Sequence, residues 1–474
     1  MQFFLRCSSA LLVLSASFVR AEDITVSPLT DEQRLAMATI EEKSVRSTIS
    51  FLASDEMAGR DTPSKELDIA SAYVASRFDG AGLKAIGDDG TYFQNHQLTV
   101  SRPPADGIQL LDSAGRSVAV RGVLATGPEK TQLTGTVIDA ATAGKASRIE
   151  GPVLVPDIPL PPQALGRPEM ALAVWWRRIR EFRTKNAPAI LVVPASESIL
   201  RELLPLLLQK AHLETGVTSF ECPVVILSES APDLLGQSVT LTVPAQHTES
   251  AGVRNVIGVI RGSDPVLAND AILITAHLDH IGVVDHGMDR INNGADDNAT
   301  GVTGVLTLAD AFAKLDPAPK RSVIFMTFWG EEKGLLGSKY FAENPLWPLD
   351  RIVANVNLEM IGRPESDARE KAWMTGWRHS NLGNLLNAGS IRVGVEIFDR
   401  SDIGEMLYTR SDNASFVQRG VIAHSVSAGS LHADYHQPGD EWTKLDLPHM
   451  TRVIQGLFAA VLPLADGEVT PEKR

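Results

Sequence analysis

From Asn255 onward the chain alternates short apolar runs with segments of helical periodicity, and several of those runs end on a histidine or a carboxylate. The runs Val256–Ile260, Ile272–Ala276, Val323–Phe328, Ala354–Leu358 and Val421–Val426 read as buried strands. Gly301–Lys314, Gly334–Glu343 and Ser380–Ala388 read as helices. Strands apolar on both faces and separated by helices constrain this region to an α/β sheet covered on its two sides. Such sheets carry their sites at the C-terminal ends of the strands.

The preceding 254 residues have other textures. Arg6, the apolar run Ala10–Val19 and the small residues of Val19-Arg20-Ala21 form the three-part pattern of a secretory leader, with cleavage expected after Ala21 and residues 1–21 removed. That step takes the formal charge from −14 to −16 and removes Cys7, one of two cysteines, leaving Cys222 without an internal partner. A secreted or periplasmic destination follows as an expectation. No later stretch has 18 uninterrupted apolar residues, so no stable membrane insertion is expected. With 58 acidic against 44 basic residues no positive field is available to hold a phosphate backbone, and nucleic acid is not expected as a partner.

Residues 22–97 are expected to be helical, with one helix over Asp31–Ala53 and a second over Ser64–Gly80, separated by a turn at Met57–Asp61. Residues 98–250 carry short β-branched runs, among them Gly135–Ile138, Pro152–Val155, Ala189–Val193 and Val239–Val243, and read as a separate β-rich unit. Within it Glu169–Lys185 has Leu172, Trp175, Ile179 and Phe182 on one face and five basic residues around the others, the pattern of a core-facing helix with a solvated side. Residues 251–465 are the α/β domain and 466–474 a polar tail.

The residue types at the strand ends point to one chemistry. His277-Leu278-Asp279 follows the run Ile272–Ala276, and the carboxylate two positions on is placed to orient a ligating imidazole. Gly294-Ala295-Asp296-Asp297-Asn298 precedes the helix opened by Thr300-Gly301; one carboxylate suffices as a cap, so a second held beside glycine suits a bridge between two cations. Glu331 and Glu332 end a buried strand, where paired acids repel unless a cation or a proton is present. Glu359 ends the run Ile352–Leu358, and His432-Ala433-Asp434-Tyr435-His436 adds imidazoles in a loop. Two histidines with several carboxylates and no thiolate are the donor set of a hydrolytic zinc site.

The order and wording of these motifs resemble the co-catalytic dinuclear zinc peptidase family that includes secreted bacterial leucine aminopeptidases and glutamate carboxypeptidase II. The resemblance covers Asn255 to about Pro463 and, more loosely, Phe51-Leu52-Ala53-Ser54-Asp55 and Gly59-Arg60. It implies a three-layer exopeptidase domain with a central mixed β-sheet, and a protease-associated-like domain inserted at residues 98–250. It also implies two Zn²⁺ per chain, one held by His277 and Glu359, the other by Glu332 and His436, with Asp297 bridging. Asp279 would orient His277, Glu331 would be the general base, Tyr435 would donate to the oxyanion or pack under its loop, and Arg410 would hold the substrate backbone. Glu359 stands where the family more often has Asp, and Asn413 where His is common.

The function expected is that of a secreted zinc aminopeptidase acting on peptides with a free N-terminus. A one-zinc glutaminyl cyclase and a carboxypeptidase are the enzymatic alternatives, and a non-catalytic binding ectodomain like the transferrin receptor is the third; the full set of five ligands favours the hydrolase. Asn298-Ala299-Thr300 and Asn413-Ala414-Ser415 match glycosylation acceptors, and both are read as coincidence.

Overall fold

The structure, a computed structural model, describes residues 24–102, 104, 106–155, 177, 179–182, 185–193, 212–214, 222–227, 234–284, 287–365, 367–429 and 431–474. The leader expected at residues 1–21 lies outside the described residues, as does most of Glu169–Lys185; in the described part of the latter Ile179 and Phe182 are buried and Arg177 and Arg180 exposed.

Ten strands form the main sheet, in the order Glu396–Asp399, Lys371–Met374, Ala423–Ser427, Ile352–Leu358, Ala271–His277, Ser322–Phe328, His247–Ile260, Phe93–Arg102 and His212–Glu214, with Lys84–Ala85 paired to His247–Ile260. The four strands Ala423–Ser427, Ile352–Leu358, Ala271–His277 and Ser322–Phe328 run parallel and are buried at nearly every position. Strands His247–Ile260, Phe93–Arg102 and Lys371–Met374 join antiparallel, so the sheet is mixed as expected.

Alternation along each parallel strand divides two cores. Ile272, Ile274, Val323, Phe325, Ala354 and Val356 face helices Glu42–Leu52, Lys65–Ala81, Thr300–Phe312, Leu382–Ser390 and Leu447–Ala465, while Leu273, Ile324, Met326 and Ile352 pack with Phe341, Trp347 and Phe416 on the other side. The result is three layers, helix, sheet and helix. Thr300–Phe312 and Leu447–Ala465 are buried almost all round because they are covered by sheet on one side and by helices on the other.

The single helix expected over Asp31–Ala53 is two, Asp31–Ala38 and Glu42–Leu52. Thr39 ends the first by donating both its N–H and its hydroxyl to the Ala36 carbonyl, and Ile40 turns into the core. The turn at Met57–Asp61 is largely a 3₁₀ segment, Asp55–Arg60. Between the two long antiparallel strands Phe93–Arg102 and His247–Ile260, five strands, Val120–Ala125, Val224–Leu227, Ile190–Val192, Val153–Val155 and Ile138–Asp139, form one sheet, and Gln109–Leu111, Ser238–Val243 and Thr131–Thr136 a second. Leu154, Leu191 and Val225 of the first meet Leu110, Val239 and Leu241 of the second in a core of their own. The last residues are tied back, Lys473 bridging Ser380 and Glu472 N–H donating to Asn381 Oδ1 at 2.7 Å. No helix among the described residues is long and apolar enough to cross a membrane.

Candidate metal centre

The parallel strands all end at one edge of the sheet, and the ligand-type residues collect there. His277 is the last residue of its strand and is 1% exposed. The chain turns directly after it, which brings the Asp279 carbonyl within 3.0 Å of Nδ1. A carbonyl only accepts, so Nδ1 carries the hydrogen and Nε2 keeps its lone pair for the site. This corrects the expected role of the Asp279 side chain, whose nearer oxygen is 3.9 Å from the ring. The Asp279 carboxylate instead accepts from Thr62 Oγ1 and from the Glu331 N–H, both at 3.1 Å, and so anchors the loop that carries Glu331 and Glu332. Burial raises its pKa to about 6.

The loop before helix Thr300–Phe312 separates its two carboxylates by task. Asp296 Oδ1 accepts from the Gly362 N–H at 2.8 Å and joins two loops. Asp297 turns into the site, with Oδ1 3.2 Å from His277 Nε2 and Oδ2 3.1 Å from His436 Nε2. Asp440 holds this backbone in place by accepting from the N–H groups of Asp296 and Asp297 at 3.0 Å. Asn298 is buried, donates to the Leu358 carbonyl and accepts from Gly301 N–H; Asn413 is likewise buried against Tyr408 and Ser425. Neither side chain is accessible to a glycan.

Glu332 places Oε1 2.7 Å from His280 Nδ1 and Oε2 3.2 Å from His436 Nε2. Burial and Asp297 push its pKa up, but the two imidazoles outweigh them and hold it at about 2. Glu359 puts Oε1 3.3 Å from His277 Nε2 and accepts from Ser411 Oγ at 2.6 Å with Oε2. Ser411 is itself fixed by Asn357, whose side-chain amide donates to it at 2.9 Å. Burial, reinforced by Glu332, Asp412 and Glu359 against the opposing charge of His277, sets Glu331 well above the usual carboxylate range.

All five expected ligands thus converge, in two groups that share Asp297: His277, Asp297 and Glu359, and His280, Asp297, Glu332 and His436. Within each group the ligand atoms lie within 4.8 Å of one another, and the mixed imidazole and carboxylate set is that of a transition-metal dication. Tyr435 stacks on His436 at 4.0 Å between ring centroids, and burial together with Asp297, Glu332, Glu331 and Glu359 drives its phenol far above the ordinary tyrosine value. Arg410 is exposed and makes no ion pair with a described residue; it is its neighbour Ser411 that reaches a ligand. His280, Ser411, Asp440 and the clamp made by Arg60 were not assigned from the sequence. Only His280 left a usable signal, three residues after His277 in the same strand-end turn.

Ser411 lends itself to a direct test. Ser411→Ala is expected to weaken metal binding at the His277 group by about 10- to 100-fold, the usual effect of losing a partner that orients a ligand. Chelator competition would read it, and an unchanged affinity would show that Glu359 needs no support.

The three-layer fold sets an imidazole and carboxylate donor set at one edge of the sheet, an arrangement that suits a hydrolytic metal centre. The sequence profile of peptidase family M28 matches residues 255–461, the part of the chain that supplies every ligand. Over that segment, 207 of the 474 residues, the chain is similar to peptidase family M28. Aminopeptidase YwaD of Bacillus subtilis is 22% identical over 305 residues, 63% of this chain and 62% of that protein, so the match spans somewhat under two thirds of that curated relative. The leupeptin-inactivating enzyme 1 of Streptomyces exfoliatus is 30% identical over 126 residues, 26% of each chain. Among solved structures, an aminopeptidase from Aneurinibacillus sp. strain AM-1 superposes with a TM-score of 0.61 at 19% identity, covering 91% of this chain and 96% of that one. A zinc aminopeptidase from Bacillus subtilis gives 0.56 at 16% identity, over 91% and 97%. At these identities the likeness is one of fold.

Proposed function

We propose that the protein is an exported aminopeptidase that uses two zinc ions to hydrolyse the first peptide bond of peptides with a free N-terminus. The observation that carries this reading is Asp297, whose two carboxylate oxygens face imidazoles of two separate ligand groups at 3.2 and 3.1 Å. Relatives named as aminopeptidases support the choice of substrate end, and the three-part pattern of residues 1–21 supports export.

A pair of dications held at these groups would supply Lewis acidity to the scissile carbonyl and would lower the pKa of a nearby water. The chain's own residues do the rest. His277, Asp297 and Glu359 hold one centre, and Glu332 and His436 with Asp297 the other. Glu331 accepts the water proton as attack proceeds and returns it to the leaving amine. Tyr435, stacked on the ring of His436, donates its phenolic hydrogen to the developing oxyanion. Asp279 keeps Glu331 in register through its backbone N–H.

The test pairs metal analysis of the mature chain with hydrolysis of a leucyl peptide and its N-acetylated counterpart. Two zinc ions and cleavage of the free-amine peptide alone are expected. Cleavage of both peptides, or of neither, would overturn the aminopeptidase reading, and absence of bound metal would leave a binding ectodomain.

A further inference from the structure

We propose that His432 is a positioning residue for the bridging carboxylate Asp297, holding its loop from behind through Asp296. The inference rests on the two-zinc reading above and concerns how the two positions are kept in register.

The three segments that bring Glu359, Asp297 and His436 to the site close on one another. The turn after Glu359 lies on the loop of Asp297: Met360 N–H donates to Asn298 Oδ1 at 3.2 Å, Ile361 N–H to Thr300 Oγ1 at 3.1 Å and Gly362 N–H to Asp296 Oδ1 at 2.8 Å. The same turn then reaches the loop of His436, where Arg363 Nη1 donates to His432 Nδ1 at 3.1 Å and to Asp434 Oδ2 at 2.8 Å. Lys444 Nζ donates to that Asp434 oxygen at 3.1 Å and to the Gly439 carbonyl at 2.6 Å, which fastens the far side of the loop. Tyr435 and His436 sit between these ties.

The remaining contact is that of the His436 loop with the Asp297 loop. Asp440 makes it at one end, by accepting from the N–H groups of Asp296 and Asp297. His432 makes it at the other. A guanidinium only donates, so Nδ1 accepts from Arg363 and the ring hydrogen is on Nε2. Nε2 lies 3.4 Å from Asp296 Oδ2 and 3.9 Å from Asp440 Oδ1. Both Nε2 and Asp296 Oδ2 are buried, and neither has a hydrogen-bond partner elsewhere among the described residues. A buried donor and a buried acceptor that face each other are each other's partner, because a buried polar atom left without one is costly.

His432 thus passes the anchor at Arg363 on to Asp296, the residue beside the bridge. Because both ligand groups share Asp297, His432 acts on both zinc positions, whereas Ser411 supports Glu359 in one group.

Two substitutions separate the two contacts of the ring. Glutamine extends far enough to bring an amide N–H near the place of Nε2 and keep the contact to Asp296. Asparagine places its carbonyl near Nδ1 and can still accept from Arg363, but falls short of Asp296. Chelator competition on the full zinc-loaded chain reads both positions without recourse to turnover. His432→Asn is expected to weaken zinc at both by about tenfold or more, the lower end of the effect of losing an outer partner. His432→Gln is expected to hold zinc more tightly than His432→Asn at both. A smaller loss in His432→Asn, a loss confined to one position, or a His432→Gln chain no tighter than His432→Asn would overturn the proposal. Should either variant not fold, a crystal structure of the zinc-loaded wild-type chain decides. A separation of Nε2 from Asp296 Oδ2 below about 3.5 Å is expected, and a longer one overturns the assignment. A wild-type chain that takes up fewer than two zinc ions would overturn the two-zinc reading and this proposal with it, whereas the outcomes above overturn the proposal alone.

Discussion

Glu331→Gln is expected to retain both zinc ions and lose turnover by about 10²- to 10⁴-fold, the worth of a general base. The substitution is nearly isosteric and leaves the backbone N–H that Asp279 holds at 3.1 Å untouched, so the loop keeps its position. What changes is the capacity to take a proton. Burial and the neighbouring carboxylates of Glu332, Asp412 and Glu359 raise the proton affinity of Glu331 well above that of an exposed glutamate. A dication nearby would stabilise the ionised carboxylate against that rise, leaving Glu331 able to take a proton. Metal analysis and kcat measured on one preparation check the prediction. Turnover within a factor of about ten of wild type would remove Glu331 from the mechanism.

Arg60→Ala is expected to lower the melting temperature by roughly 10 °C, corresponding to a loss on the order of 3–5 kcal/mol. The guanidinium is 1% exposed and donates only to backbone carbonyls: Nε to Leu278 at 2.9 Å, Nη1 to Asn293 at 2.9 Å and to Leu52, and Nη2 to Gly294 at 3.1 Å. It therefore joins the end of helix Glu42–Leu52 to the turn after His277, which carries His280, and to the loop that carries Asp297. Burial lowers its pKa to about 10 against the pull of Asp279, Asp440, Asp297 and Glu332, so it stays charged at neutral pH. Alanine would leave those carbonyls buried without a donor, each at about 1–3 kcal/mol before relaxation. Arg60→Lys should recover little, since an ammonium cannot reproduce the planar fork. Thermal unfolding read by circular dichroism tests this, and a melting point within about 2 °C of wild type would show that the clamp is dispensable.

Much of the site was legible in the sequence for a definite reason. In a parallel sheet the C-terminal ends of strands lie side by side, so His277, Glu332 and Glu359, each at or just past the end of an apolar run, come together without any knowledge of their contacts. The motifs offered Asp296-Asp297 and the loop His432–His436 as pairs, and the resemblance to the zinc peptidases singled out Asp297 and His436. The helix Leu447–Ala465 was not legible, because a helix buried on nearly every side shows no polar face and loses the period that marks an amphipathic one. The long ribbon formed by Phe93–Arg102 and His247–Ile260 was equally hidden: its outer half is mostly polar and exposed, and its partners are some 150 residues apart in sequence.

By itself the sequence determined the alternation of strand and helix, the edge of the sheet that would bear the chemistry, and the residue types of a hydrolytic metal centre. These are local properties, set by side-chain polarity at periods of two and three to four residues. The tertiary structure alone decided which oxygen or nitrogen does which task. It tied Asp296 to Gly362, made a backbone carbonyl of Asp279 hold His277, brought Ser411 to Glu359 from 52 residues away and turned His280 toward Glu332. Such choices depend on distances of a few tenths of an ångström between segments remote in the chain, and those are settled only when the packed core fixes each loop against its neighbours.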